Sequence, residues 1–311
     1  MCYILCFLRW FSVIRKQFDL NYIRAFLPTI KYSSIDKMGF TSKTDYDLEV
    51  LDRPGTTQSV EEISRLRSQL CQLGKLCFDP LPDYQVFERS SSTSFHDKII
   101  VLAKQGDELI AFLSAVVLPI SGRKDPVVHT GLTVIHPSHR KSGVIHSLFA
   151  GLFLHLFSIY PNGLWLSTLS GIITSLGHIA AYTSNVFPSP QWNEAHPTAR
   201  PSDTHLQIAG EISAKYRQML LISPEAHFDE RAFVFRAQTP RLGGRPSADA
   251  AKVLKQDHRN LTLTRFYRDL LRDPGDEVLQ VSYFDPGFTF GKGADVLAKA
   301  SMIISHFTRA P

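Results

Sequence analysis

The residues best placed to do chemistry lie in one stretch, Thr130-Gly-Leu-Thr-Val-Ile-His-Pro-Ser-His-Arg-Lys-Ser-Gly-Val-Ile-His-Ser-Leu-Phe149. A β-branched run that includes Val134 and Ile135 meets Pro137. A polar turn follows with Arg140, Lys141, Ser142 and Gly143, and an apolar run opens directly at Val144 and Ile145. The first amides of a helix have no intrahelical acceptor, and the helix dipole adds partial positive charge at the same end. A strand-to-helix turn of this composition therefore suits an anion, and a pyrophosphate in particular. Gly143 lacks the Cβ that would hold a ligand away from the backbone. The plain alternative is a helix start whose charges are simply solvated.

The elements that must position this turn can be read from periodicity and punctuation. Residues 46–51 alternate as a short strand. Ser59 caps a helix, with Glu62 three residues on as the capping-box partner and Ile63, Leu66, Leu70 and Leu73 on one face. Residues 90–94 form a Ser-rich loop. Two strands, 98–104 and 108–118, flank Gln105-Gly106-Asp107, a hairpin signal. A strand over 127–135 leads to the polar turn, and a long apolar helix over 142–160 stops at Pro161-Asn162-Gly163. Then come a strand at 164–168, a helix at 172–185 and a Pro-rich connection at 188–201. The pattern continues with a helix at 205–221, a strand at 231–237, a helix at 249–271, a strand at 278–284 and a helix at 295–306. A strand–helix–strand crossover makes its two strands parallel neighbours. The fold class is α+β.

Ile135-His136-Pro137-Ser138-His139-Arg140-Lys141-Ser142-Gly143-Val144 resembles the signature of the GNAT (GCN5-related N-acetyltransferase) superfamily. There a strand ends in V-x-P-x-x-R and a loop R/Q-x-x-G-x-G/A opens a helix. A second segment, Ala180-Ala181-Tyr182-Thr183-Ser184-Asn185-Val186-Phe187, is similar to the family's later A-x-Y-x-x-x-G-F. Two positions depart from the pattern: Ile145 stands for the last Gly/Ala of the loop, and Val186 for the Gly before Phe187. The resemblance implies a three-layer α/β/α sheet with splayed central strands. It also implies acetyl-CoA or another acyl-CoA as co-substrate, held at Val134, Ile135, Arg140, Lys141, Ser142, Gly143, Val144 and Ile145. Tyr182 would be the acid that reprotonates the CoA thiolate, a role that suits a phenol because the two groups have comparable pKa values. His129 lies on the strand where these enzymes place a base. On the residues alone, Tyr182 reads equally as a packing tyrosine and His129 as an ordinary strand histidine.

Bulk properties narrow the rest. The 311-residue chain is 44% hydrophobic and 20% charged, an ordinary globular composition. The formal charge of +5 is scattered rather than clustered, which argues against nucleic acid as a partner. Cys2, Cys6, Cys71 and Cys77 form no C-x-x-C pair, so neither a disulfide framework nor a zinc site is expected. His136 and His139 flank Pro137 and Ser138, but no third ligand is near and no metal is expected. The apolar stretch before Arg15 is too short to span a bilayer. Residues 1–37 therefore read as a leader outside the fold, with Met38 as an alternative start, and a membrane contact is not expected. The expected organisation is a core at 45–190 and an extension at 191–311 that completes the sheet and shapes an acceptor pocket. The expected setting is cytoplasmic, and the expected partner is a small-molecule amine. A non-catalytic acyl-CoA binder and a different CoA-thioester reaction remain the alternatives.

Overall fold

The computed structural model describes residues 46–88, 95–190, 200–236, 257–273 and 275–292. The leader, the loop 90–94 and the expected helix 295–306 lie outside them, as does the expected helical stretch 249–256.

Among the described residues, nine strands form one mixed sheet. They are β1 (Asp47–Asp52), β2 (Lys98–Gln105), β3 (Glu108–Leu118), β4 (Val127–Ile135), β5 (Leu164–Ser170), β6 (Ser184–Phe187), β7 (His227–Asp229), β8 (Val234–Arg236) and β9 (Glu277–Phe284). The order is β1-β2-β3-β4-β5-β9-β8-β7, with β6 also on β9. Strands β1 to β4 are antiparallel neighbours; Gly106, at φ 59, turns β2 into β3. Between β4 and β5 runs helix α2 (Val144–Ile159), and a crossover of that length makes β4 and β5 parallel.

Helix α1 (Val60–Lys75) starts at the Ser59–Glu62 capping box and buries Leu66, Leu70 and Leu73. The other helices are α3 (Ile173–Tyr182), α4 (Asp203–Lys215), α5 (Leu261–Leu270) and α6 (Pro286–Lys292). Strands β2 and β3 are apolar on both sides, the mark of a sheet covered twice. Ile100, Leu102, Phe112 and Val116 pack with α1 and α4 in one core. Ile99, Val101, Leu113 and Leu166 pack with Leu148, Leu152 and Ile179 of α2 and α3 in the other. The architecture is three-layer α/β/α. No helix among the described residues is long and apolar enough to cross a membrane.

Several elements differ from the sequence expectation. The helix expected to run to 185 ends at Tyr182, and residues 184–187 pair with β9 instead. Ladder partners more than 90 residues away, Tyr283 and Val281, outweigh the local helical pattern. The helix expected to reach 221 ends at Lys215. Beyond it the chain is tied by Arg217, whose guanidinium donates to the carbonyls of Ser213, Ser223 and Ala226. The strand expected from 231 starts at Val234, because Asp229 Oδ1 accepts from the amides of Arg231 and Ala232 and holds a turn there. Neither β7 nor α6 was anticipated. Asp285 caps α6, its carboxylate accepting from the amides of Gly287 and Phe288.

Candidate active site

Strands β4 and β5 pair at only three positions, Val128↔Leu166, His129↔Ser167 and Thr130↔Thr168. Beyond Thr130 they part, although β4 continues to Ile135. A bulge accounts for this: Leu113 faces Thr133 and Ala115 faces Thr130, so Gly131 and Leu132 lie together against Ser114. An extra residue bends the strand that carries it. Gly131 is required at this point, since a Cβ there would sit 1.7 Å from Gln85 Nε2. Gln85 is buried at φ 51, donates to the Tyr84 hydroxyl at 2.9 Å and accepts from Ser114 Oγ. At the last paired position the Thr130 and Thr168 hydroxyls meet, closing the bottom of the gap.

Alternation along β4 decides which amides face that gap. The His136 amide donates to the Ile110 carbonyl of β3 at 2.8 Å, so His136 and Val134 face β3. The Ile135 amide and carbonyl then face away from β3, into the gap. Of the two strand residues expected to hold the co-substrate, Val134 and Ile135, only Ile135 aims its amide into the gap. The Cys77 thiol donates to the Ile135 carbonyl at 3.5 Å, and Arg140 Nη2 reaches the same sulfur at 3.5 Å. Arg140 thus lies across the mouth of the gap.

The turn itself follows at the end of β4. Pro137–His139 form a single 3-10 turn, capped by His136 Nδ1, which accepts from the Ser138 amide at 3.3 Å. Lys141 then adopts φ 68, and Gly143, at φ 84 and ψ 3, caps α2 without any side-chain hydrogen bond. The Ser142 hydroxyl donates to the His139 carbonyl, bracing the loop. Among the described residues, the amides of Lys141 and Gly143 have no hydrogen-bond partner within the chain. The first turn of α2 holds no acidic residue to offset the positive end of its dipole. Ile145 packs into the apolar core on the α2 side, so its bulk points away from the turn. Val144 is buried in the same core.

Tyr182, the last residue of α3, reaches the start of α2: its hydroxyl lies 2.8 Å from His146 Nδ1. Phe149 and Phe153 flank the ring at 6.5 and 6.1 Å between centroids. Thr289 of α6 donates to the Tyr182 carbonyl at 2.7 Å and fixes the end of α3. Sequence reasoning did not single out His146, which lies near the start of the apolar helix expected over 142–160. Its signal was its place three residues after Gly143, in the turn the anion would face.

His129 is fully buried on β4, its Nδ1 2.9 Å from Ser167 Oγ. It shares its side of the sheet with Val127 and Leu132, and so faces α1 and α4, whereas Tyr182 packs with the α2 core. The two expected catalytic groups therefore stand on opposite faces, and His129 lies within the paired stretch, one position before the strands part.

Taken together, the strand order, the parting of β4 from β5 and the glycine-capped α2 reproduce what the sequence resemblance implies for the fold. The architecture is that of the GNAT fold. Against known proteins, the chain matches no family profile and no curated sequence. Solved structures similar to it include an aminoglycoside 6'-acetyltransferase type Ii at 20% identity, covering 40% of this chain and 71% of that one, with a TM-score of 0.28. A GNAT family acetyltransferase from Brucella melitensis in complex with acetyl-CoA matches at 12% identity, over 38% and 74%, with a TM-score of 0.26. A ribosomal-protein-alanine N-acetyltransferase from Brucella melitensis biovar Abortus 2308 matches at 13%, over 36% and 71%, at 0.25. At such identities and scores these GNAT likenesses carry no argument about the reaction.

Proposed function

We propose that this chain is an acyl-CoA-dependent acyltransferase that moves an acyl group, acetyl foremost, directly from CoA to an amine of a small molecule. The observation that carries the reading is the conjunction of two features at one end of the sheet. A gap between two parallel strands opens beside a helix start where the Lys141 and Gly143 amides have no partner among the described residues and the first turn carries no acidic residue. The Lys141 and Gly143 amides fit a pyrophosphate, with the Lys141 side chain adding charge. The bound thioester supplies an activated acyl carbon. The Ile135 amide, facing the gap, polarises the acyl carbonyl. Tyr182 donates its hydroxyl proton to the departing sulfur. On the opposite face, His129 with Ser167 receives the proton that the amine gives up. Holding donor and acceptor in one gap makes the transfer direct. The bulk of Ile145, packed into the core and away from the turn, favours a ligand-ready turn over a blocked one.

The test is unfolding with and without acetyl-CoA, and with longer acyl-CoA thioesters. A ligand that binds only the native state, at 100-fold over its dissociation constant, raises stability by roughly 2.7 kcal/mol. Thiol release from acetyl-CoA against a panel of primary amines, aminoglycosides among them, then reads turnover. A well-folded sample that no CoA thioester stabilises would overturn the proposal.

A further inference from the structure

We propose that His146 is a positioning residue for Tyr182: its Nδ1–H donates to the phenol oxygen and leaves the phenol's single proton for the departing thiolate. The inference rests on the acyltransferase reading and assigns a residue that the resemblance does not supply. Its basis is the 2.8 Å contact between Nδ1 and the Tyr182 hydroxyl, joining two helices across 36 residues of chain. A phenol has one proton. If Nδ1 accepted that proton, the phenol could not present it to sulfur; if Nδ1 donates, the phenol keeps its proton for transfer. The placement of the imidazole supports a working role. The His146 amide bonds the Gly143 carbonyl at 3.0 Å, so the ring belongs to the turn that would hold the pyrophosphate. Phe149 and Phe153 enclose the apolar flank of the phenol, and Thr289 fixes the backbone at its base. His178 lies beside His146 at 5.6 Å between ring centroids; its own Nδ1–H donates to the Thr174 carbonyl at 2.7 Å.

The step balances. The C–S bond breaks with its electron pair going to sulfur, and the Tyr182 proton follows it. The amine nitrogen, newly bonded to the acyl carbon, gives its proton to His129. The phenolate left on Tyr182 accepts the Nδ1–H hydrogen bond until water returns a proton.

Two measurements test this. Long-range proton–nitrogen spectra of the parent, with His146→Gln identifying the resonance, read the ring's tautomer without any substrate. A protonated Nδ1 is expected, and an unprotonated one overturns the proposal. A double-mutant cycle then uses acetyl-CoA with the panel amine turned over fastest. His146→Leu is expected to lower kcat about tenfold or more, the loss of one hydrogen bond to a charged oxygen. His146→Gln, whose amide can donate, is expected to restore most of it, with acetyl-CoA affinity unchanged in both. Added to Tyr182→Phe, His146→Leu should lower kcat no further, because the two act as one unit. Additive losses, or full kcat in His146→Leu, overturn the proposal while leaving the acyltransferase reading intact. A protein that binds no CoA thioester fails at the earlier reading instead.

Discussion

Replacing Gly143 by alanine separates two demands on one residue, its backbone conformation and its closeness to ligand. Gly143 sits at φ 84 and ψ 3, a left-handed conformation that costs an L-residue about 1–2 kcal/mol. Space is not the obstacle, since the nearest atom to an added Cβ is His146 Cδ2 at 4.0 Å. Alanine also restricts the unfolded chain, which returns roughly 0.4–1 kcal/mol where the native conformation is unstrained. The expected net loss is about 1 kcal/mol, or about 2–4 °C in Tm for a domain of this size. Gly106 provides the control. It has φ 59 in the β2–β3 turn, and nothing lies within 4 Å of an added Cβ. Both variants should lose similar stability by scanning calorimetry. Only Gly143→Ala should lose affinity for CoA, about tenfold or more if the turn relaxes and one amide no longer meets a phosphate oxygen. Titration calorimetry with CoA reads the difference. Equal CoA affinity in Gly143→Ala, Gly106→Ala and the parent would refute the assignment of the turn to the pyrophosphate.

Two further outcomes follow from the same geometry. Gly131→Ala should destabilise the protein by about 1–3 kcal/mol through overpacking against Gln85, and Gln85→Gly, which relieves both the clash and the φ of 51, should suppress that loss in a double mutant; urea midpoints that add independently would show that the bulge is not held this way. His205 bears on pH: burial lowers its pKa, and its hydrogen bond to the Asn185 carbonyl offsets this only in part. As pH falls below the ordinary histidine value near 6.5, the unfolded chain takes up the proton first, so stability declines from there down through the lowered folded value. His205→Gln should flatten that slope between about pH 7.5 and 5.5, with His258, lowered by burial and by the charges of His178 and Arg259, keeping a residue of it; an unchanged slope in urea titrations would reject the assignment.

What the sequence by itself determined is local. Ser59 and Glu62 lie three residues apart and close their capping box within one turn. Gln105-Gly106-Asp107 joins strands that pair immediately around it, and β4, its turn and the start of α2 follow each other without a break. Each is encoded within about twenty consecutive residues, so spacing and residue type suffice. What only the tertiary structure decided is set by pairings across the chain. The gap depends on Gly131 and Leu132 facing Ser114 and on Gln85 filling the space where a side chain at 131 would go. The end of α3 depends on β9 taking up residues 184–187, which leaves Tyr182 as the last helical residue with its carbonyl held by Thr289. His146 meets Tyr182 because two helices from different crossovers pack on one face of the sheet. A hydrogen bond between residues so far apart has no periodicity to announce it. It forms because packing the sheet brings its donor and acceptor together, and local propensity has no term for that.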